Sequence, residues 1–381
     1  MSTEAVSAAI REGVDNHTPL RIAGRSGWLS AGRPVHATRV LSLRDDNGVV
    51  SYVPGDLTLT VRAGTTLADI ERVTLEHNQW LPLDPFGSDD GTIGATVSTA
   101  SAGPLATSFG LPRDLLLGLE FVNGRGEVVR GGGKVVKNVA GFDLSRLLTG
   151  SWGTLGVITE VTLRLYAKPE VDRTFLVALD VGERATTALL RAIVSSPLAP
   201  FALEVVNAAA ASRLELGEKP VCLIRLGGNS AVVQAQLNAL SQLARTEEVQ
   251  PSTWTAFRGL DDGAESVIRI SSLPTRFLGT AASILADSPA GVAISINPRR
   301  GVMRIMTHSG GSSAAANVGG PGSSFELPSN GEQSDTSLIF EVLPAEVWQE
   351  VSPSVVSDPL SRGIRKAYDP HNLLNPGILG D

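Results

Sequence analysis

Residues 82–104, PLDPFGSDDGTIGATVSTASAGP, with SFGLPRD at 108–114, gather groups that can hold an anion. Gly87, Gly91, Gly94, Gly103 and Gly110 remove side chains where a backbone has to approach a ligand closely, and Ser88, Thr92, Ser98, Thr99 and Ser101 add hydroxyl donors. Convergent amides and hydroxyls of this kind can cradle a pyrophosphate without net positive charge. One helix-terminal dipole adds only about 0.3–1 kcal/mol, so several donors must act together. Two common phosphate loops are disfavoured. No GxGxxG stands between a strand and a helix, as a Rossmann NAD site requires. GGGKV at 131–135 has Val128 in place of the first glycine of a P-loop and Val135 where Ser or Thr must follow the lysine, which argues against ATP hydrolysis.

The elements around this segment follow from periodicity. Residues 49–62 read as two short strands with a turn at Pro54 and Gly55. Thr66 with Asp69 forms a capping-box pattern, and Leu67, Ile70 and Val73 recur at helical spacing to about Asn78. Leu115–Val122 and Glu127–Arg130 flank NGRG as a hairpin. Asp143 can cap a short helix through Leu147, and alternation from Val157 to Leu165 predicts a strand. Beyond residue 171 strands at 175–179, 203–206 and 221–226 alternate with helices near 184–195 and 231–244, a smaller α/β or α+β unit. The stretch 308–336, with SGGSSAAANVGGPGSS, is too poor in apolar residues to offset its ordering entropy and reads as a flexible linker.

A length of 381 residues predicts two domains. The formal charge of −7, with no acidic tail, disfavours nucleic acid as a partner. The first sixteen residues lack the pattern of a secretory signal, and no run of about 18 apolar residues could span a membrane. A cytoplasmic protein is expected, peripheral to the inner membrane face only through partners. The single cysteine, Cys222 in VCLIRL, excludes an internal disulfide and a cysteine-ligated iron–sulfur cluster, and reads as an inert thiol in a buried strand.

The order and spacing of GTIGATVSTASAG, FGLPRDLLLGLEFVNGRGEVV and GGKVVKNVAGFDLSRLLTGSWGTLGVITEVTLRL resemble the PCMH-type FAD-binding domain of the vanillyl-alcohol oxidase superfamily. Within it, KNVAGFDLSRLLTGSWGTLGV is most similar to the FAD-binding E subunits of bacterial glycolate oxidases. The resemblance covers about residues 20–168 and returns at 365–379. It implies an α+β fold: a two-subdomain FAD-binding domain at 1–169, a smaller cap or substrate domain at 170–345, and a C-terminal segment, 346–381, returning to the first.

The resemblance also implies which residues meet FAD. The first loop, IAGRSG, would supply Gly24, Arg25, Ser26 and Gly27, and the second would supply Asp84, Pro85, Gly91, Thr92, Ile93, Gly94, Ser98, Ser101, Ala102, Gly103 and Gly110. Together the two loops would clasp the pyrophosphate. Gly153, Gly156, Val157 and Ile158 would pass beside the adenosine half, and Asn375 in YDPHNLLNPG would return to the flavin. Arg25 stands where the family often has glycine, and a guanidinium there matches a phosphate bidentately. Covalent relatives carry a histidine in the first loop or a cysteine elsewhere; Ser26 and Gly27 occupy that place, so non-covalent FAD is expected. His17, His36, His77, His308 and His371 lie far apart in sequence, so no metal site is expected.

For chemistry on a small 2-hydroxy acid, His371 is the best general-base candidate, and Arg269, with Arg276 nearby, is the candidate cation for a carboxylate. Each has a bland alternative, a structural histidine and a surface salt bridge. The function implied is the FAD-carrying subunit of a glycolate-oxidising complex, with a larger homologous flavoprotein and an iron–sulfur subunit as partners. A stand-alone FAD-dependent hydroxy-acid dehydrogenase and a scaffold subunit without flavin are the alternatives.

Overall fold

A computed structural model describes residues 1–133, 143–179, 182–308, 336–351 and 358–380. Most of the expected linker at 308–336 and the central part of GGKVVKNVAGFD fall outside the described residues. The chain divides into two compact units. One takes in 1–103, 109–168 and 348–381, and the other 104–108 and 169–347.

The first unit opens with α1 (Thr3–Asp15), capped by Ser2, whose side chain accepts from Ala5 N–H. Val6, Ala9, Ile10 and Gly13 recur at helical spacing and form its buried face. β1 (Leu20–Ala23) runs parallel to β2 (Arg39–Ser42). Next come β3 (Val49–Val53), a 3-10 turn (Pro54–Asp56), β4 (Thr58–Arg62), α2 (Leu67–Leu75), β5 (Gln79–Trp80) and α3 (Ile93–Thr99). After α4 (Ala106–Phe109), most of which belongs to the second unit, come α5 (Pro112–Leu115), β6 (Leu116–Val122), β7 (Val128–Gly132), α6 (Leu144–Leu148), β8 (Val157–Arg164) and β9 (Tyr166–Ala167). Thr66 caps α2 by accepting from Asp69 N–H at 3.0 Å, and Asp143 caps α6 by accepting from Arg146 N–H at 3.1 Å, as the sequence predicts.

A five-stranded antiparallel sheet, in the order β3-β4-β8-β6-β7, carries the unit. Leu59, Val61, Phe121, Val157, Val161 and Leu163 from its strands are fully buried against Ile93 and Val97 of α3 and Leu373 and Leu374 of the C-terminal segment, in one core. Each such side chain contributes about 1.5–3 kcal/mol. β4 pairs with β8 only over 160–164, whereas β6 pairs with it down to Val157. Val157 and Ile158 therefore have a strand on one side only.

In the second unit β10 (Val171–Ala178), β11 (Ala202–Val206), β12 (Val221–Gly228), β13 (Glu247–Val249), β14 (Ala264–Ser271), β15 (Val292–Asn297), β16 (Val302–His308) and β17 (Ser337–Val342) form one sheet, ordered β13-β10-β12-β11-β15-β16-β14-β17. Every pairing in it is antiparallel, so the unit is α+β rather than an alternating parallel α/β layer. The helices between its strands are α7 (Glu183–Ser195), α8 (Ala208–Arg213), α9 (Ser230–Leu243), α10 (Ser252–Arg258) and α11 (Pro274–Ala286). Leu190, Ile193, Val233, Leu240, Phe277 and Ala281 of α7, α9 and α11 share a core with alternate residues of the sheet. Cys222 belongs to that core, and burial first, then Glu204, pushes its thiol up to about 12, the inert thiol expected. The chain returns to the first unit at α12 (Ala345–Trp348) and continues into α13 (Pro359–Tyr368).

Candidate functional site

The first loop leaves the end of β1, and β1 is held on both sides. β2 pairs with one edge, while Leu20 N–H donates to Leu373 O at 2.8 Å and Leu20 O accepts from Asn375 N–H at 2.9 Å. Asn375 has φ 45°, a left-handed conformation that a short amide side chain tolerates. Its Oδ1 accepts from Ile22 N–H at 2.8 Å and its Nδ2 donates to Trp152 O at 2.8 Å. Gly153, at φ 71°, leaves room for that amide, because a Cβ there would stand 2.8 Å from Nδ2. The sequence reading sent Asn375 to the flavin; in the structure its side chain bonds two backbone groups, and it clamps β1 to the turn at 150–153.

The two small-residue segments meet. A Cβ at Gly24 would overlap the Thr92 hydroxyl, and a Cβ at Gly87 would stand 3.1 Å from Trp28 Nε1 in the first loop. Glycine is required at 24 by this approach of backbone to side chain. Thr92 in turn caps α3, its hydroxyl accepting from Ala95 N–H at 3.4 Å.

The donors are distributed differently from the expectation. Ile93 N–H and Gly94 N–H donate to Thr65 O and Ala63 O, both at 2.9 Å, so the start of α3 does not offer these amides to a ligand. Gly94 lacks a side chain because Ala63 Cβ lies 2.7 Å from where its Cβ would be. Gly91 N–H is likewise spent, on Ser88 O at 2.9 Å. In the first loop, by contrast, the N–H groups of Arg25, Ser26 and Gly27 have no partner among the described residues. Those three residues are exposed, Ser26 is left-handed at φ 68°, and the space beside Gly27 is open. Successive free amides around a left-handed residue form a concavity suited to an anion.

The far end of α3 carries the third part of the site. Gly150 N–H donates to Val97 O at 3.1 Å and Trp152 N–H to Ser98 O at 2.8 Å, which docks the 150–153 turn on the helix. The hydroxyls of Ser101 and Ser151 are buried beside this junction with no hydrogen-bond partner among the described residues. Pro85 is buried and Ala102 half-buried, and Gly103 packs on the Asp84 carbonyl, closing the second loop on itself.

Other glycines from the sequence reading have packing roles. A Cβ at Gly156 would overlap the Phe121 ring, and Gly110, at φ 87°, opens the turn in which Asp114 Oδ2 accepts from Leu111 N–H at 2.8 Å. Val157 and Ile158 are buried, and β6 is the strand that pairs with them.

In the second unit, Arg269 on β14 donates from Nε to Glu341 Oε1 at 2.7 Å. Arg304 on β16 takes the other oxygen, Glu341 Oε2, at 2.7 Å and also reaches Asp261 Oδ2 at 3.0 Å. Burial alone would raise the Glu341 carboxyl; Arg304 and Arg269 outweigh it and hold the group below the usual glutamate value. The Arg269 expected to meet a substrate carboxylate therefore has a resident carboxylate already. His371 is exposed in the turn after α13 and makes no hydrogen bond among the described residues. Ser151 and Trp28 were not singled out in sequence, although Ser151 sits inside the quoted TGSWGTLGV.

Residues 1–132 match the family described as FAD binding domain. The chain is 38% identical over 172 residues to the glycolate oxidase subunit GlcE of Escherichia coli, a match covering 45% of this chain and 49% of that one. It is 30% identical over 253 residues to the glycolate oxidase subunit GlcD of Bacillus subtilis, covering 64% of this chain and 54% of the relative. These matches span about half the length of each relative. In structure, 4-ethylphenol oxidase from Gulosibacter chungangensis superposes with a TM-score of 0.67 at 15% identity, over 100% of this chain and 88% of that one. That likeness is one of fold, and the fold is α+β as expected.

Among the described residues no three His, Cys, Asp or Glu side chains cluster as metal ligands, and no helix is long and apolar enough to cross a membrane.

Proposed function

We propose that the chain is the FAD-carrying subunit of a complex that oxidises a small 2-hydroxy acid, of the glycolate oxidase type. The carrying observation is the contact of Gly24 with Thr92, which brings the first loop, with its free amides at 25–27, against the second. An FAD pyrophosphate needs such a cluster of donors, and the buried, unpartnered hydroxyls of Ser101 and Ser151 are what a polar ligand in place would complete. When bound, FAD would supply the hydride acceptor for oxidation of the carbinol carbon. The protein's part is to bind and orient it. Arg25 is exposed at the mouth of the first loop, where a guanidinium can pair with phosphate.

Non-covalent attachment is supported by the absence of His and Cys from the first loop and by the burial of Cys222 in β12. Arg269 keeps an exposed portion, 34% of its side chain, beyond its bond to Glu341, and remains the candidate for a carboxylate contact. His371 is exposed in the turn after α13 and is retained as the base candidate. The partners in this reading are a larger homologous flavoprotein and an iron–sulfur subunit, supported by the similarity to two glycolate oxidase subunits. A location in the cytoplasm, touching the membrane only through those partners, belongs to the same reading.

The test is spectroscopic. Purified protein, or protein incubated with FAD, should show flavin absorbance that acid precipitation releases into the supernatant. FAD at 1,000 times its Kd should add about 4 kcal/mol to the folded state and raise Tm. Dye reduction by glycolate or D-lactate should require the co-expressed partners. Reduction by the chain alone would make it a stand-alone dehydrogenase, and no flavin binding at all would make it a scaffold.

A further inference from the structure

His308 ends β16, opposite Ala264 of β14, and is only 9% exposed. Neither ring nitrogen makes a hydrogen bond of normal geometry among the described residues. An imidazole always has at least one N–H to place, so a buried ring normally finds a partner. The groups around this one pull in opposite directions. The turn 259–263, between α10 and β14, directs backbone groups of Leu260 and Asp262 at the ring, with the Asp261 carboxylate nearby, and all three favour a proton on it. Arg213, at the end of α8, opposes one, and Ala264 brings no charge. Burial first and Arg213 second outweigh the turn and hold the ring below the ordinary histidine value of 6.5.

The turn's own backbone bonds are local: Leu260 N–H to Phe257 O at 3.2 Å, Asp262 N–H to Gly259 O at 3.0 Å and Ala264 N–H to Asp261 O at 3.0 Å. Gly263, left-handed at φ 69°, has open space where a Cβ would be. Leu260, which is buried, and Asp261, paired with Arg304 of β16 at 3.0 Å, fasten the turn to the sheet. A proton on His308 adds a cation beside Arg213 in a place shielded from water, and swinging the turn away is the local movement that lets water reach it.

We propose that His308 is the trigger of an acid-operated latch in the second unit: uncharged, it lets the 259–263 turn close over the end of β16, and once protonated it opens that turn and loosens Asp261 from Arg304. The latch is independent of what the first unit binds.

The sign of the effect is fixed by the direction of the shift. A ring that takes a proton less readily when covered makes closure stable above about pH 6.5, and that stability is lost as pH falls below it. Asp262, raised by burial and then by Asp261, works in the opposite sense, and Glu341, held below 4.5, responds only at lower pH.

Hydrogen exchange of the whole 381-residue chain tests this, read by mass spectrometry on peptides covering 257–268 and 302–308 and corrected for intrinsic exchange. Protection there should fall by up to about tenfold between about pH 7.5 and about pH 5.5, while β10 and β12 stay protected. His308→Gln, which cannot titrate, should abolish the fall. Arg213→Gln, which removes the opposing charge, should make it smaller. A parent chain with equal protection at both pH values would overturn the latch, as would a His308→Gln chain that loses as much as the parent. If the glutamine variant is already open at the higher pH, Arg213→Gln decides alone, and a fall equal to the parent's sinks the proposal.

Discussion

Glu341 in the second unit and Ser151 in the first are about equally shielded, at 9% and 8% exposure, yet the carboxylate of one is saturated with partners and the hydroxyl of the other has none among the described residues. Glu341 receives Arg269 on one oxygen and Arg304 on the other, and β14, β16 and β17 are tied together through it. Ser151 lies beside a helix end where neighbouring hydroxyls are paired and its own is not. A polar group whose demands are met inside the chain is serving the fold.

The sharpest way to test that contrast is to remove the saturated group. Glu341→Ala takes a carboxylate partner from the Arg304 guanidinium, 3% exposed, and should cost about 3–5 kcal/mol in denaturant unfolding. FAD affinity of the folded variant should stay the same. Because the Glu341 carboxyl sits below its ordinary value when folded, its contribution is present above the unfolded pKa and is lost as pH falls through the folded one. An acid titration of stability should therefore be flatter in Glu341→Ala than in the parent.

Next in size is Gly24→Ala, which drives a methyl into the Thr92 hydroxyl and should cost about 1–3 kcal/mol in thermal unfolding, with FAD affinity falling alongside. Adding Thr92→Ala to the same chain should recover part of that loss, and failure to recover would deny the contact. Arg269→Ala should cost only about 1 kcal/mol, since its side chain is 34% exposed and Arg304 continues to hold Glu341.

The smallest effect is expected at Asp369, whose carboxyl burial raises, against the bond from Leu374 N–H and the nearby Arg365. A raised folded value means stability that is present at low pH and declines as pH rises through that value. Asp369→Asn should flatten the stability profile above about pH 4.

Local signals carried much of this fold. Thr66 with Asp69, Asp143 ahead of α6, the NGRG hairpin and the alternation of β8 depend on residues a few positions apart, and the structure places each as periodicity and capping chemistry predict. What stayed hidden is non-local. Asn375 looked like a ligand residue because its motif returns to the first domain, but nothing near it in sequence reveals that Ile22 and Trp152 take both ends of its amide. The amides of Ile93 and Gly94 were read as donors, and they are consumed by carbonyls from the β4–α2 turn, a pairing that only folding creates. Arg269 was read as a candidate cation with a salt bridge as its alternative, and the partner could not be named because Glu341 lies far along the chain, on a strand that sequence did not reveal. Ser151 stood in plain sight in TGSWGTLGV, but an unsatisfied hydroxyl is a property of its surroundings, not of its spelling.

The clasp formed by Leu373, Leu374 and Asn375 on β1 has a consequence for biosynthesis. As the polypeptide leaves the ribosome, β1 and its neighbours emerge first but cannot seal, because the residues that close them are among those made after the whole second unit. The second unit, largely one continuous stretch, is then free to mature while the earlier one waits open with apolar surface showing. Chains halted before residue 373 should accordingly be prone to aggregate, whereas chains that include 373–375 close around β1 as a last act.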